Sequence, residues 1–202
     1  TKGLIVFPNM SESIEVGRAF SIAAIDNARK LTNSLIFVSA QKDPSLDALT
    51  EKDIYEVGTL CRIINFVKQD QIYRIRVSGS KRVKFSSIRQ EGGTFVADGE
   101  VLEDVLGDGT EELALVRKVV ETLEQSPSVG RDIPKSALNQ LDKGLSPNDL
   151  SNTLAAYLPI TVEQKESILS ENNVNERLKA ILGILSEQEQ IAKIDDKLND
   201  TV

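Results

Sequence analysis

Apolar and polar residues alternate along much of the N-terminal half of the chain, which is the period of a half-buried strand. Residues 57–68 and 71–78 keep this alternation on either side of the tight turn Gln69-Asp70, so they predict a β-hairpin. Consecutive antiparallel strands joined by short, glycine-containing turns form a meander that curls into a small barrel or sandwich. The turns are expected at 79–80 and 92–93, and the other predicted strands are 4–7, 14–16, 35–40, 81–90 and 95–103.

One short helix and a later change of period complete the pattern. The segment after Gly17, "RAFSIAAIDNARKL", carries apolar residues at helical spacing. At "GDGT", residues 107–110, the period becomes helical, and amphipathic helices follow, with predicted N-caps such as Ser146 and Asn173. The predicted fold class is therefore α+β: an antiparallel β-rich curled barrel or sandwich with one short helix, then an all-α bundle ending in a long helix. The predicted domains are residues 1–106 and 107–202.

The last predicted helix begins near residue 174 and extends to Leu198, which is about 38 Å at a rise of about 1.5 Å per residue. Its first turns carry a wide apolar stripe, whereas only a narrow seam continues toward its end. This thinning predicts a helix that projects from its bundle and contacts a neighbouring subunit or couples to another module. A frayed tail is the alternative, because so short a seam is marginally stable by itself. The seam residues are Ile184, Ile191, Ile194 and Leu198.

The charge and the residue counts exclude several kinds of site. A net charge of −7 repels phosphate backbones, and the most basic stretch, residues 73–85, alternates with apolar residues as the exposed face of a sheet does. Without histidine there is no His general base and no His metal ligand. Cys61 is the single cysteine, and a buried hydrophobe is favoured over a nucleophile. No apolar run approaches the roughly 20 residues that span a bilayer, so no membrane partner is expected.

Motifs for catalysis and for cofactor binding are equally sparse. No glycine is followed by lysine, which excludes a P-loop, and no acidic cluster has the spacing of a calcium loop. Composition does not exclude a Ser-Lys dyad, but no serine lies in a recognisable nucleophile turn. We therefore predict no catalytic, cofactor-binding or metal-binding residue in this chain. A binding or scaffolding module is favoured over an enzyme.

Several stretches taken together resemble one known family. The segments "VFPNM", "EVGRAFSIAAID", "FVSAQKD", "DIYEVGT" and "VSGSKRVKF" are similar to the N-terminal domain of Lon, the ATP-dependent protease. The segment "LAAYLPITVEQKESILSENNVNERL" is similar to the helical part of the same region. The resemblance covers nearly the whole chain and is poorest at "SPSVGRDIPKSALNQL". In that family an AAA+ ATPase module and a Ser-Lys peptidase module follow, and neither is expected within this chain.

The resemblance implies a function and a set of partners. It implies a non-catalytic module that recognises substrates and helps a hexameric ring assemble, within an ATP-dependent serine endopeptidase of the bacterial cytoplasm. ATP and Mg²⁺ would bind to the parent protein outside this chain, and the partners would be unfolded or degron-bearing proteins and further copies of the parent. Neither nucleic acid nor membrane is expected to bind this region. The alternative is a free-standing adaptor or small-ligand-binding protein of the same N-domain type, which a stop codon after Val202 would favour.

Capture of unfolded chains requires exposed apolar surface, because unfolding exposes apolar side chains. The candidate surface surrounds the Pro-Asn-Met-Ser loop and the start of the first helix, where the flexible thioether of the single methionine tolerates varied partners. The alternative is that Phe7, Ile14 and Val16 belong to the core and that Met10 fills a gap. The candidate residues are Phe7, Pro8, Met10, Ile14, Arg18 and Phe20.

Overall fold

Strands dominate the first half of the chain and helices the second in the computed structural model, which describes residues 1–202, with side chains for residues 1–141 and 143–202. The predicted α+β class is confirmed. The strands are β1 (Ser11–Val16), β2 (Leu35–Val38), β3 (Val57–Gln69), β4 (Ile72–Glu91) and β5 (Thr94–Leu102). The α-helices are α1 (Ala19–Leu31), α2 (Gly109–Gln125), α3 (Lys135–Asp142), α4 (Pro147–Tyr157), α5 (Val162–Ser170) and α6 (Val174–Asp200).

The strands form one antiparallel sheet in which β4 is the shared partner. The order is β1-β4-β3-β2, and β5 also pairs with β4. β4 is 20 residues long: its first part pairs with β1 and its last part with β5. Register shifts occur at Leu60/Cys61 and Ile63/Asn65 in β3. The unpaired residues are Ser80 of β4 and Ile64 of β3, and such bulges bend the strands that contain them.

Gly79 lies inside β4, so the predicted turn at Gly79-Ser80 is wrong and the two strands predicted on either side are one. The backbone N–H of Gly79 donates to the carbonyl of Met10 at 2.8 Å, and its own carbonyl accepts from the N–H of Asn9 at 3.0 Å. A Cβ atom at Gly79 would overlap the backbone carbonyl of Phe7. The glycine therefore permits a close approach of two chain segments rather than a change of direction.

Residues 5–7 are buried, but residues 4–7 form no strand, so the strand predicted there is wrong. Ile5, Val6 and Phe7 are 6%, 1% and 0% exposed. The carbonyl of Val6 accepts a hydrogen bond from the hydroxyl of Thr59, a side-chain partner rather than a ladder partner. A short apolar run signals burial, and burial does not require a strand.

The contacts divide the chain into two compact units, and the first contains Thr1–Glu103 and Val162–Ser170. In this unit α1 buries Ile25 and Ala28 against the sheet. The hydroxyl of Tyr73 donates to Oδ1 of Asp26 at 2.9 Å, which ties the middle of α1 to β4. Each fully buried aliphatic side chain contributes about 1.5–3 kcal/mol. The core cluster consists of Val6, Ile25, Ala28, Cys61, Ile63, Tyr73, Ile75 and Val77.

α5 packs against β3 in this first unit. Arg82 is 3% exposed, and its Nε donates to the carbonyl of Leu169 at 2.9 Å. The guanidinium thereby satisfies one of the carbonyls left open at the C-terminal end of α5, where a cation is also favoured by the helix dipole. The division into residues 1–106 and 107–202 stays a prediction about domains, although the packing assigns this one predicted bundle helix to the β-rich unit.

The second unit, Asp104–Thr161 and Glu171–Val202, is helical. α2 and α4 pack on α6, whose residues Leu178, Ile181 and Leu185 are 0% exposed. The predicted N-caps at Ser146 and Asn173 are confirmed, because each side-chain oxygen accepts a backbone N–H three residues later at 3.1 Å. The helical half therefore follows its sequence punctuation closely.

Candidate functional site

An apolar groove of about 1180 Å³ lies in the first unit. Its walls come from α1, β1, β2 and β5, and its floor includes Ile75 and Phe85 of β4. The volume exceeds the roughly 300–1000 Å³ of a typical small-molecule pocket. By volume the groove therefore has room for a short stretch of polypeptide.

Aromatic contacts build two parts of the groove. Phe20, at the start of α1, meets Phe95 of β5 edge to face, with ring centroids 5.4 Å apart. Phe37 of β2 lies against Phe85 of β4 at 5.4 Å between centroids. Such pairs add about 0.5–1.5 kcal/mol beyond the area they bury.

Part of the apolar lining is exposed to water. Leu31, the last residue of α1, is 78% exposed, and Phe37 is 37% exposed. Exposed apolar side chains that line one groove indicate a candidate interaction site. The groove thus combines an apolar wall with side chains that are free to contact a partner.

Arg18 provides the groove with a positioned cation. Its Nη1 donates to Oε1 of Gln41 at 2.6 Å, and its guanidinium carbon lies 4.7 Å from the ring centroid of Phe20. Partial burial lowers the pKa of Arg18, and the negative charge of Asp47 opposes that change. The side chain stays protonated at neutral pH, since a guanidinium titrates far above it.

The other charged side chains of the groove lining are paired. Lys2 Nζ contacts Asp47 Oδ1 at 2.7 Å. Glu15 contacts Arg74 at 3.3 Å, and Glu91 contacts Arg89 at 3.3 Å. These pairs are exposed, so each contributes at most about 1 kcal/mol to stability, but each compensates a charge.

The structure divides the six predicted capture residues into two groups. Ile14, Arg18 and Phe20 line the groove and are half-buried. Phe7 and Pro8 are buried outside the groove lining, and Met10 is half-buried outside it. Phe7 is therefore a core residue, as the alternative interpretation had it, and exposed surface at Phe7 is not found. Whether any of the six binds a client stays a prediction.

Sequence reasoning missed three residues that shape the groove. Leu31 and Phe37 are large apolar residues at the end of α1 and in β2, and their exposure depends on packing that periodicity does not report. Gln41 is 1% exposed, and its Nε2 donates to the carbonyls of Asp43 and Leu46 at 2.8 and 2.9 Å. A lone glutamine in a polar loop gives no sequence signal for such a role.

The predicted seam of α6 is largely uncovered within its own unit. Ile191, Ile194 and Leu198 are 52%, 57% and 61% exposed, whereas Ile184 is half-buried. All four residues lie in one continuous helix, so the frayed-tail alternative is not observed. The role of the seam in contacts between subunits stays a prediction.

The buried thiol offers no reactive group. Cys61 is 0% exposed, and burial raises its pKa to about 12. The thiolate, which is the nucleophilic form, is therefore scarce at neutral pH. Across residues 1–141 and 143–202, no group of three or more His, Cys, Asp or Glu side chains is placed to hold a metal ion. In the same residues, no helix has the length and apolar character needed to cross a membrane.

Comparison with family models relates the whole groove-bearing unit to one family. A model described as the "ATP-dependent protease La (LON) substrate-binding domain" matches residues 1–187. The chain is 34% identical over 168 residues to the Lon protease of Fervidobacterium nodosum, covering 82% of this chain and 20% of that protein. It is 30% identical over 169 residues to the Lon protease of Escherichia coli K12, covering 83% and 21%. The chain thus spans about a fifth of the length of these relatives.

Solved structures relate the fold in the same way. The "N terminal domain of Mycobacterium avium complex Lon protease" superposes with a TM-score of 0.71 at 16% identity, covering 91% of this chain and 94% of that one. The Lon N-terminal domain protein from Xanthomonas campestris superposes with a TM-score of 0.56 at 21% identity, covering 89% and 92%. At these identities the likeness concerns the fold alone. The resemblance predicted from the sequence is confirmed by these matches.

Proposed function

This chain belongs to the family of LON substrate-binding domains, and on that premise we propose that it is the non-catalytic substrate-recognition and assembly module of a Lon-type ATP-dependent protease. Its clients are misfolded and degron-bearing proteins. The parent protein carries an AAA+ ATPase that binds ATP and Mg²⁺ and a Ser-Lys peptidase, both outside this chain. It works as a hexamer in the bacterial cytoplasm.

The apolar groove is the observation that carries this proposal. Unfolded proteins differ from folded ones chiefly in the apolar surface they expose to water. The groove presents Leu31, Phe37 and Phe20 to a partner and is large enough for a polypeptide segment. Recognition by apolar contact suits a module that must accept many clients. The exposed seam of α6 supports the assembly role, since apolar helix faces of this spacing pair with other helices.

The test compares client binding by groove variants. We expect the chain to bind a chemically unfolded model protein and not its folded form, as measured by fluorescence anisotropy without ATP. Leu31→Ser together with Phe37→Ser should weaken this binding about five- to tenfold, because the two changes together remove apolar contact area worth on the order of 1 kcal/mol. Leu31 is exposed, whereas Phe37 packs on Phe85, so urea unfolding of the double variant first establishes that it is folded under the binding conditions.

A matched control comes from the β3–β4 hairpin. Ile64 and Val67 are each 52% exposed and lie outside the groove lining. Ile64→Ser together with Val67→Ser removes a similar exposed apolar area and should leave client binding unchanged. Equal binding of folded and unfolded forms, or equal losses in both double variants, would refute capture by the groove.

A further inference from the structure

Arg18 is the charged residue of the groove lining that forms no ion pair among the described residues. Lys2, Glu15 and Glu91 each have a partner of opposite charge within 3.3 Å, whereas the close polar partner of Arg18 is the neutral amide of Gln41. Asp47 acts on Arg18 only at longer range and pairs with Lys2. The terminal ammonium of Thr1 also lines the groove, but burial lowers its pKa to about 6, so it is mostly neutral at neutral pH. Arg18 is therefore the one cation of the lining that lacks an ion-pair partner among the described residues. A ligand that complements it is apolar and carries one carboxylate.

The guanidinium is held ready for such a ligand. Gln41 is 1% exposed and is itself fixed by two hydrogen bonds to backbone carbonyls. It occupies Nη1 of Arg18, and the remaining N–H donors of the guanidinium are available to a carboxylate. The first turn of α1, which follows Arg18, contains no acidic side chain that would compete for the cation. Preorganisation of this kind reduces the entropy lost on binding.

The position of Arg18 against Phe20 decides between two sources of the carboxylate. The cation lies directly on the ring of Phe20, and that ring contacts Phe95. A complementary ligand must present its carboxylate and an apolar side chain side by side. A chain that ends in an apolar residue does so, since the α-carboxylate and the side chain share one Cα atom. An internal Asp or Glu carries its carboxylate at the end of a polar side chain instead.

We propose that the groove binds the free C-terminus of an unfolded protein, with the α-carboxylate on Arg18 and an apolar last side chain against Phe20 and Phe95. This inference rests on the proposed function and adds the chemical class of the client end that is recognised. Backbone and side-chain donors that hold a terminal carboxylate are a general mode of peptide recognition.

The experiment uses three labelled peptides of one apolar sequence ending in Leu-Leu-Phe and the full 202-residue chain. The first has a free C-terminus, the second is the amide, and the third is an amide with an internal Asp. We expect the free acid to bind about tenfold more tightly than either amide, which is the usual difference for one charge-assisted hydrogen-bond pair. Arg18→Gln should bring the acid to the affinity of the amide, and Arg18→Lys should keep part of the preference. Arg117→Gln, an exposed site on α2, is the control and should change nothing.

The outcomes separate this inference from the proposed function. Equal affinity of acid and amide, a preference that survives Arg18→Gln, or tight binding of the internal-Asp amide would each overturn it. If Arg18→Gln fails to fold, the NMR signal of the Arg18 Nε–H in the parent chain decides: it must shift with the acid and not with the amide. Failure of all three peptides while an unfolded client still binds refutes the inference alone, whereas failure of the client as well refutes the proposed function.

Discussion

Glu166 is a single residue whose environment makes the stability of the first unit depend on pH. It is 6% exposed on α5, and its Oε2 has no hydrogen-bond partner among the described residues. Burial raises the pKa of Glu166 from 4.5 to about 8, against the opposing effect of a hydrogen bond from Ser170. The carboxyl is therefore neutral in the folded chain at neutral pH and ionised in the unfolded chain. Nearby Tyr55 has a raised pKa, first through burial and then through the charges of Glu163 and Glu166.

The pH dependence has a definite sign. A folded-state pKa above the unfolded one means that the folded chain holds the extra proton, so the contribution of Glu166 to stability is present below pH 4.5 and is lost as pH rises through about 8. At about 1.4 kcal/mol per pKa unit the loss is on the order of 2–5 kcal/mol. Glu166→Gln, which stays neutral, should flatten this decline and exceed the parent chain in stability at pH 9. Urea unfolding of both chains at pH 5, 7 and 9 measures the free energy of unfolding.

Glu163→Gln is the matched control, because Glu163 is exposed on the same helix. In this variant the free energy of unfolding should decline with rising pH as it does in the unsubstituted chain. Parallel pH curves for Glu166→Gln and the parent chain would show that the buried carboxyl does not titrate as stated.

Gly79 gives a second prediction at this scale. Replacement by alanine places a methyl group against the backbone of Phe7, which is itself in the core, so one segment must move. We expect Gly79→Ala to lower the free energy of unfolding by about 1–3 kcal/mol, as overpacking does. Gly183→Ala in α6 is the control: nothing lies within 4 Å of its added methyl group, and helix propensity should raise stability by about 0.5–1 kcal/mol. Urea unfolding measures both variants. If Gly79→Ala changed the free energy of unfolding no more unfavourably than Gly183→Ala, the close-approach explanation would be wrong.

At the scale of secondary-structure elements, α6 combines two kinds of surface in one helix of 27 residues. Leu178 and Leu185 are buried against α2 and α4, whereas Ile191 and Ile194 are more than half exposed. The first part belongs to the folding of the helical unit, and the second part can be changed without disturbing that core.

This difference predicts separate effects of substitution. Ile191→Ser together with Ile194→Ser should change the free energy of unfolding by less than about 1 kcal/mol, while Leu185→Ala should cost about 2–5 kcal/mol through the cavity it leaves. In the proposed full-length Lon-type protease, the double variant should shift sedimentation toward smaller assemblies. If the double variant assembled like the unsubstituted protein, the seam would not be part of the interface between subunits.

The elements differ in how well their sequences predict them. The helices were readable because caps such as Ser146 and Asn173 satisfy local backbone groups, and local chemistry is visible in sequence. β4 was predicted as two strands because a glycine can indicate either a turn or a close approach of two chain segments. The sequence does not distinguish them here, since Gly79 and Phe7 lie far apart in the chain. Ile5, Val6 and Phe7 are buried, but the hydrogen bond to the carbonyl of Val6 comes from Thr59, a residue far along the chain.

At the scale of the whole molecule, the family was recognisable from several segments in order, while the candidate site was only half predicted. Ile14, Arg18 and Phe20 lie within seven consecutive residues of the sequence, and all three line the groove. Leu31 and Phe37 reach the same groove only because α1 and β2 are packed together. A surface assembled from distant segments leaves no local pattern, so sequence alone identified its beginning and not its extent.

The placement of α5 has a practical consequence for the design of truncated fragments. Residues 162–170 belong to the first unit, although segments of the second unit precede and follow them. A truncation ending at Glu103 would discard the carbonyl of Leu169 that accepts from Arg82 and would uncover the face of β3 that α5 protects. Deleting the stretch after β5 is therefore expected to yield an insoluble product, and a soluble fragment would require α5 to be grafted back through a synthetic linker.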